Sequence, residues 1–365
     1  MSVRIPLYDR YFTEKERAVA SSGEFTVSAF RYDSGVAALR LNNSRGGITV
    51  LPFQGQQVWR CDFDGRELTM RSTFDEPVNT TEYLATYGAF LLHCGATAVG
   101  VPSKEDTHPL HGELPNAPYK SAHIAFGSDE AGDYAEIGGL YNYKVAFNHN
   151  YTAEPSVRLY TGSAILNVEM RITNLKGTDM EVMYMEHINF RPVDGAVLEY
   201  SADYTPEAVA VNVNIPEHIK SSAPIGEFIE FLHKIKNDPV LHHKLTPDAR
   251  FDPEAVFRIK YRADADGFAH SMQIHPDGSA DYAAHDTAMF DQPIRWIART
   301  PDHDAMGLVL PMNTGNGGYL HEKAEGNIKS VGTGECAVFR TKMGLLTPAE
   351  AKEMLKKING ITGRK

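Results

Sequence analysis

Cysteine is scarce. Only Cys61, Cys94 and Cys336 occur among 365 residues. They are far apart, form no CxxC and cannot all pair, so no disulfide framework is available. This usage fits a reducing compartment, and a cytoplasmic protein with buried thiols is expected. Tryptophan is scarcer still, with two residues, Trp59 and Trp296. No apolar run approaches a membrane span, and the opening MSVRIPLYDRYFTEKERAV has no signal-peptide core. Positive charge is in deficit: 36 Lys and Arg against 47 Asp and Glu give a net charge of -11, with no basic block. That argues against nucleic acid or an anionic membrane as the main partner. There is no GxGxxG after a strand, no P-loop, no GxSxG and no HExxH. A nucleotide cofactor and serine-hydrolase chemistry are therefore disfavoured.

What is present is a strand rhythm. In AILNVEMRITNL, Leu166, Val168, Met170 and Ile172 alternate with Asn167, Glu169, Arg171 and Thr173, a period of two with one buried face. EVMYMEHINF reads as a further strand, and Asp33-Ser34-Gly35, Asp266-Gly267 and Asp277-Gly278 read as turns. Helical signals are few. TPAEAKEMLKKING has Thr347 as cap, Pro348 in the first turn and Glu350 closing a capping box. Its stripe is Ala351, Met354, Leu355 and Ile358, and Gly360 is the expected stop. PIGEFIEFLHKIK has helical spacing at Ile225, Phe228, Ile229, Leu232 and Ile235, within a region 215–250 read as a mostly helical insertion. With no repeat, no linker and no βαβ rhythm, the pattern implies one all-β antiparallel sandwich over residues 1–365.

Fifteen histidines are the notable polar resource. One group is His93, His108, His111 and Glu113, the last three on the proline-bounded stretch EDTHPLHGELPNAPY. Another is EHINF: on a strand, His187 and Asn189 share a face and Glu186 takes the other. His108 is expected to be structural.

Read in order, these segments resemble the aldose 1-epimerase (galactose mutarotase-like) superfamily, in a less characterised branch. The resemblance rests on RGGITVLPFQGQQVWRCDFDGREL, on Leu110-His111-Gly112, on Thr173-Asn174-Leu175 and on His187 within His-x-Asn-Phe. FDQPIRWIARTPDHDAMGLVLPMNTGNGGY and LLTPAEA fit more loosely. It implies a galactose mutarotase-like β-supersandwich, carrying the helical insertion and a C-terminal helix, with a sugar site and no cofactor. The implied reaction opens a sugar's hemiacetal ring and closes it in the other anomeric configuration, which needs an acid and a base. By position, His187 would be the acid at the ring oxygen and His111 would orient the sugar or share the proton. The family's base glutamate falls where this chain has Leu310, so Glu113 and Glu322 are the substitutes considered. His93, Asn189, Trp296 and Tyr119 are the expected sugar contacts, and Trp59 is read as core.

Two alternatives stay open. His93, His111, Glu113 and His187 are ligand types suited to Zn, Mn or Fe, which would make the scaffold a metal-dependent sugar isomerase or epimerase. The missing glutamate would also fit a non-catalytic carbohydrate-binding protein. The expected partner is a small sugar or sugar derivative, and the chain a monomer or homodimer.

Overall fold

A computed structural model describes residues 2–213, 221, 225–248 and 251–364. Its strands form two nine-stranded sheets and one of four. The first sheet runs from Val3–Pro6 through Ser121–Asp129, Gly132–Val145, His149–Tyr160, Ile165–Asn174, Cys336–Leu346, Ala280–Asp286 and Phe268–Ile274 to Val197–Tyr200. The second holds five strands between Arg17 and Phe63, then Leu91–Ala96, Met180–Ile188 and Lys329–Val331, with Arg66–Glu67 pairing at its side. The small sheet is Val209–Asn212, Ala255–Ile259, Ile294–Arg299 and Asp304–Leu310.

Alternation explains the layering. Leu166, Val168, Met170 and Ile172 are buried, whereas Asn167, Glu169 and Arg171 face outward. Their inward row joins Ile137, Leu159 and Met343 from the first sheet, and Leu39, Leu41, Val58 and Leu91 from the second, in an interior of interlocked aliphatic side chains. A one-residue slip would expose every one of these groups, so the apolar pattern itself fixes register. The expected turns form, with Gly35, Gly267 and Gly278 all at positive φ near 85°.

The C-terminal helix spans Pro348–Thr362 and has the full capping box of Thr347 and Glu350. It runs past the expected stop at Gly360 and ends at Gly363, whose φ of 73° suits the left-handed cap. Ala351 and Ile358 bury against Met272, Tyr282 and Ala284 on the first sheet. Within the insertion, Ile225–Asn237 is a helix that buries Phe228, Leu232 and Ile235. Ile225, expected in the same stripe, is 45% exposed. Residues 215–220, 222–224 and 249–250 of the insertion lie outside the described residues. All three cysteines are free thiols, and no helix among the described residues is long and apolar enough to cross a membrane.

Candidate active site

The site is built on one strand pair. Leu91–Ala96 lies antiparallel to Met180–Ile188, with Leu92 opposite His187 and His93 opposite Glu186. Successive side chains take opposite faces. His187 therefore sits with Met183, Met185, Leu92 and Cys94 on the outer face of the second sheet, while Glu186, Tyr184 and His93 point into the sandwich.

His187 is held tightly. Its Nδ1 lies 2.8 Å from Asn189 Oδ1, and Asn189 Nδ2 donates to the Ala89 carbonyl at 2.9 Å. Because that second bond fixes which end of the amide is oxygen, Nδ1 must carry the hydrogen and Nε2 is left as the proton-exchanging atom. Nε2 stands 3.5 Å from the Tyr87 hydroxyl. Three rings meet the imidazole edge-on: Trp296 at 5.1 Å, His111 at 5.7 Å and Tyr87 at 5.8 Å between centroids. Tyr83 packs on both His111 and Tyr87. Burial pushes the His187 pKa down to about 4, against the opposing Asn189 bond. Burial thus favours the neutral imidazole, in which Nε2 is an acceptor.

His111 reaches the pocket through an unusual backbone. It has φ 60°, and Gly112 follows at φ 80°. A side chain at Gly112 would come within 2.3 Å of the Ala98 carbonyl, so only glycine fits. Gly95 N donates to His111 O at 3.0 Å, and Glu113 N and Leu114 N both donate to Gly95 O. The Leu-His-Gly turn is therefore clamped across the end of the strand Leu91–Ala96. Left-handed backbone at a histidine is unfavourable by itself and persists because these bonds over-determine it.

The carboxylate at this pocket is Glu254, which the sequence reading missed. Glu254 Oε2 accepts the Trp296 indole N–H at 2.6 Å, and Glu254, when ionised, raises the pKa of both Tyr83 and Tyr87, secondary to their burial. Glu254 immediately precedes the strand Ala255–Ile259, in which Val256 pairs with Trp296. Leu310, where a glutamate was sought, is 2% exposed and packs with Met183, Met185 and Met312. The acidic group thus enters from the far side of the Trp296 strand. Tyr83, Tyr87 and His303, whose ring lies 6.5 Å from that of Tyr87, were also missed.

The other sequence candidates are elsewhere. Glu113 accepts from Ala96 N, Thr97 N, Thr97 Oγ1 and Tyr151 OH, at 2.5 to 3.1 Å, and so ties the strand end to the first sheet. Glu322 is 1% exposed and accepts from Gly315 N, Gly317 N and Asn327 Nδ2. Neither carboxylate reaches the His187 pocket, because each is consumed in clamping a loop. His93 is buried against Tyr184 OH at 2.6 Å, and Tyr119 packs at a tilt against Tyr141, so neither joins His187. His108 bonds backbone, with Nδ1 on Pro109 O and Nε2 accepting Tyr319 N–H. Trp59 is fully buried in the core. The alternative metal set therefore does not converge: His93 and Glu113 leave the pocket, and among the described residues no group of three His, Cys, Asp or Glu side chains is placed to hold a metal ion. No chemical step is assigned to Zn, Mn or Fe.

A family model described as a domain of unknown function (DUF4432) matches residues 33–196, less than half of the chain. No curated protein matches. Among solved structures, a candidate aldose 1-epimerase from Klebsiella pneumoniae subsp. pneumoniae MGH 78578 superposes with a TM-score of 0.80 at 17% identity, covering 100% of this chain and 96% of that one. A galactose mutarotase-like protein from Lactobacillus casei ATCC 334 gives 0.54 at 14% identity, over 84% of this chain and 99% of that one. A galactose mutarotase related enzyme from Lactobacillus acidophilus gives 0.54 at 10%, over 85% and 98%. The sheets described above, together with these superpositions, give the chain the galactose mutarotase-like β-sandwich fold.

Proposed function

We propose that the protein is a sugar isomerase of the aldose 1-epimerase kind, interconverting the anomers of a sugar by acid–base ring opening. The observation that carries this reading is the indole of Trp296, which touches His187 on one side and binds Glu254 on the other. It spaces two proton-exchanging groups across a half-buried aromatic face, and such a face suits the C–H side of a sugar ring. The name given to the Klebsiella structure points the same way.

The chemistry moves protons only. Opening the ring takes the proton from the anomeric hydroxyl and gives one to the ring oxygen as the bond between that oxygen and the anomeric carbon breaks. His187 Nε2, neutral at rest, accepts the first proton. Glu254 is assigned the second transfer, so the pair carries one proton between its members, on the carboxyl before opening and on the imidazole after it. Rotation about the carbon–carbon bond turns the aldehyde, and the reverse transfers close the ring on its other face. Asn189 keeps the imidazole in the tautomer that this requires. His111 lies within ring contact of His187 and is assigned to orient the sugar.

The reading is tested by an NMR anomer-exchange screen over hexoses, pentoses, uronic acids and sugar phosphates. Enzyme-dependent exchange for at least one sugar is expected. Saturable binding of a sugar without any exchange would favour a carbohydrate-binding protein instead.

A further inference from the structure

A hollow of about 470 Å³ lies on the outward face of the first sheet, away from the strand pair that carries His187. Its place follows from register. One cross-strand row runs Arg4, Ala125, Glu136, Arg158, Asn167 and Lys342 over six strands. The next row is His123, Gly138, Ser156, Glu169 and Arg340. At its centre Gly138 pairs with Ser156, and a side chain added at Gly138 would come within 2.8 Å of the His123 ring. Small floor residues between long charged side chains keep the hollow open.

Its charge is opposite to that of the whole chain. Arg4, Arg158, Arg171, Arg340 and Lys342 line it against Glu136, Glu154 and Glu169, an excess of two positive charges on a protein of net charge -11. Arg158 is matched, with Nη2 2.8 Å from Glu136 Oε2 and Nη1 2.8 Å from Asp129 Oδ2. The other end is not. Arg340 Nε donates to Glu169 Oε2 at 2.9 Å, and Arg171 Nη1 lies 3.5 Å from Oε1 of the same carboxylate. Glu154 is the register partner of Arg171 but forms no ion pair with it. Lys342, two residues beyond Arg340 on the same face, stands opposite Asn167 instead of an acid. Its ammonium lies 5.2 Å from the centre of the Phe268 ring and has no ion pair among the described residues. Of these three cations, two share Glu169 and the third has no carboxylate. Like charges so placed on neighbouring strand positions repel, and an anion among them relieves the repulsion.

A phosphate monoester carries about two negative charges at neutral pH, which equals the excess. Guanidinium N–H groups fit its oxygens in forked pairs, and Arg340 engages Glu169 through Nε alone. A bare phosphate would occupy only part of the volume. The remainder is lined by Ser121, Ser156 and Asn167, whose hydroxyl and amide groups suit the hydroxyls of a polyol.

We propose that this hollow binds the phosphate monoester of a small polyhydroxy metabolite, with Arg171, Arg340 and Lys342 on the phosphate and Ser156 and Asn167 on the hydroxyl chain. The site is separate from the His187 pocket and does not rest on its chemistry.

The test is calorimetric titration of the full chain with sorbitol 6-phosphate in a low-salt buffer free of phosphate. That open-chain probe has no anomeric carbon, so the result is independent of any ring-opening activity. One-site binding with a Kd of about 1 mM or tighter is expected. Inorganic phosphate should compete only at about tenfold higher concentration, and sorbitol should not compete. Lys342→Gln and Arg340→Gln, both at exposed positions, should fold and should each weaken binding about tenfold. Glu169→Gln releases two guanidiniums and should tighten binding about threefold. Absence of saturable binding would overturn the proposal. So would binding left unchanged by both Lys342→Gln and Arg340→Gln, because the ligand would then lie elsewhere. Competition by inorganic phosphate as strong as that of the ester would overturn the assignment to a monoester and leave a site for the free anion.

Discussion

Glu186 and His187 are adjacent in the chain and back to back in the structure. Glu186 turns into the sandwich, where Thr341 Oγ1 donates to one oxygen at 2.5 Å and Tyr184 OH lies 3.3 Å from the other. His187 turns outward to Trp296 and His111. Burial acts on both with opposite results: it raises the Glu186 pKa to about 7 and lowers that of His187 to about 4. A protonated Glu186 can donate to the Tyr184 oxygen, which frees the Tyr184 hydrogen for His93 Nδ1 at 2.6 Å.

Glu186→Gln should therefore stabilise the protein in a pH-dependent way. The folded pKa of about 7 lies above the reference value of 4.5, so the wild-type chain loses stability as pH rises through that window. Glutamine does not titrate. Chemical denaturation should find the two proteins closest below pH 4.5, with the gap in favour of the variant widening up to pH 7 and constant above it. An equal gap at all pH values would refute a protonated Glu186.

The pH–rate profile carries a second expectation. A base must be unprotonated, so activity falls as pH drops through its pKa. With His187 pushed down to about 4, the acid limb of the anomer-exchange rate should lie well below the ordinary imidazole value of 6.5. An acid limb centred at that ordinary value would mean that a more exposed group is the base.

His111 separates strain from function. Its φ of 60° favours glycine, so His111→Gly should be more stable than His111→Ala by about 1 kcal/mol. Both should lose exchange activity through loss of the ring. Equal stability of the two variants would show that the backbone relaxes when the ring is removed.

Glu322 tests the demotion of a sequence candidate. Glu322→Gln sets an amide donor against the backbone N–H groups of Gly315 and Gly317. A loss of roughly 1–3 kcal/mol in stability is expected, with the rate per folded molecule retained. A rate loss in the fully folded variant would return Glu322 to the chemistry.

Local rules carried most of the fold. Alternation over 165–174, the glycine turns and the Thr347 capping box each depend on a few neighbouring residues, and all form. The opposite facing of Glu186 and His187 was legible for the same reason. The acidic half of the site was not. Glu254 meets Trp296 only because their strands pair, and nothing near FDPEAVF announces that pairing. Glu113 and Glu322 looked chemical because a loop carboxylate beside histidine or glycine has two uses. Which use applies is decided by the backbone N–H groups that fold around it.

The central claim is that His187 Nε2 and Glu254 move the protons, and exchange NMR on purified variants tests it most directly. For a sugar that the wild type interconverts, His187→Ala and Glu254→Gln should each slow anomer exchange by about 10²-fold or more while the fold is retained. Exchange at the wild-type rate in either folded variant would contradict the account.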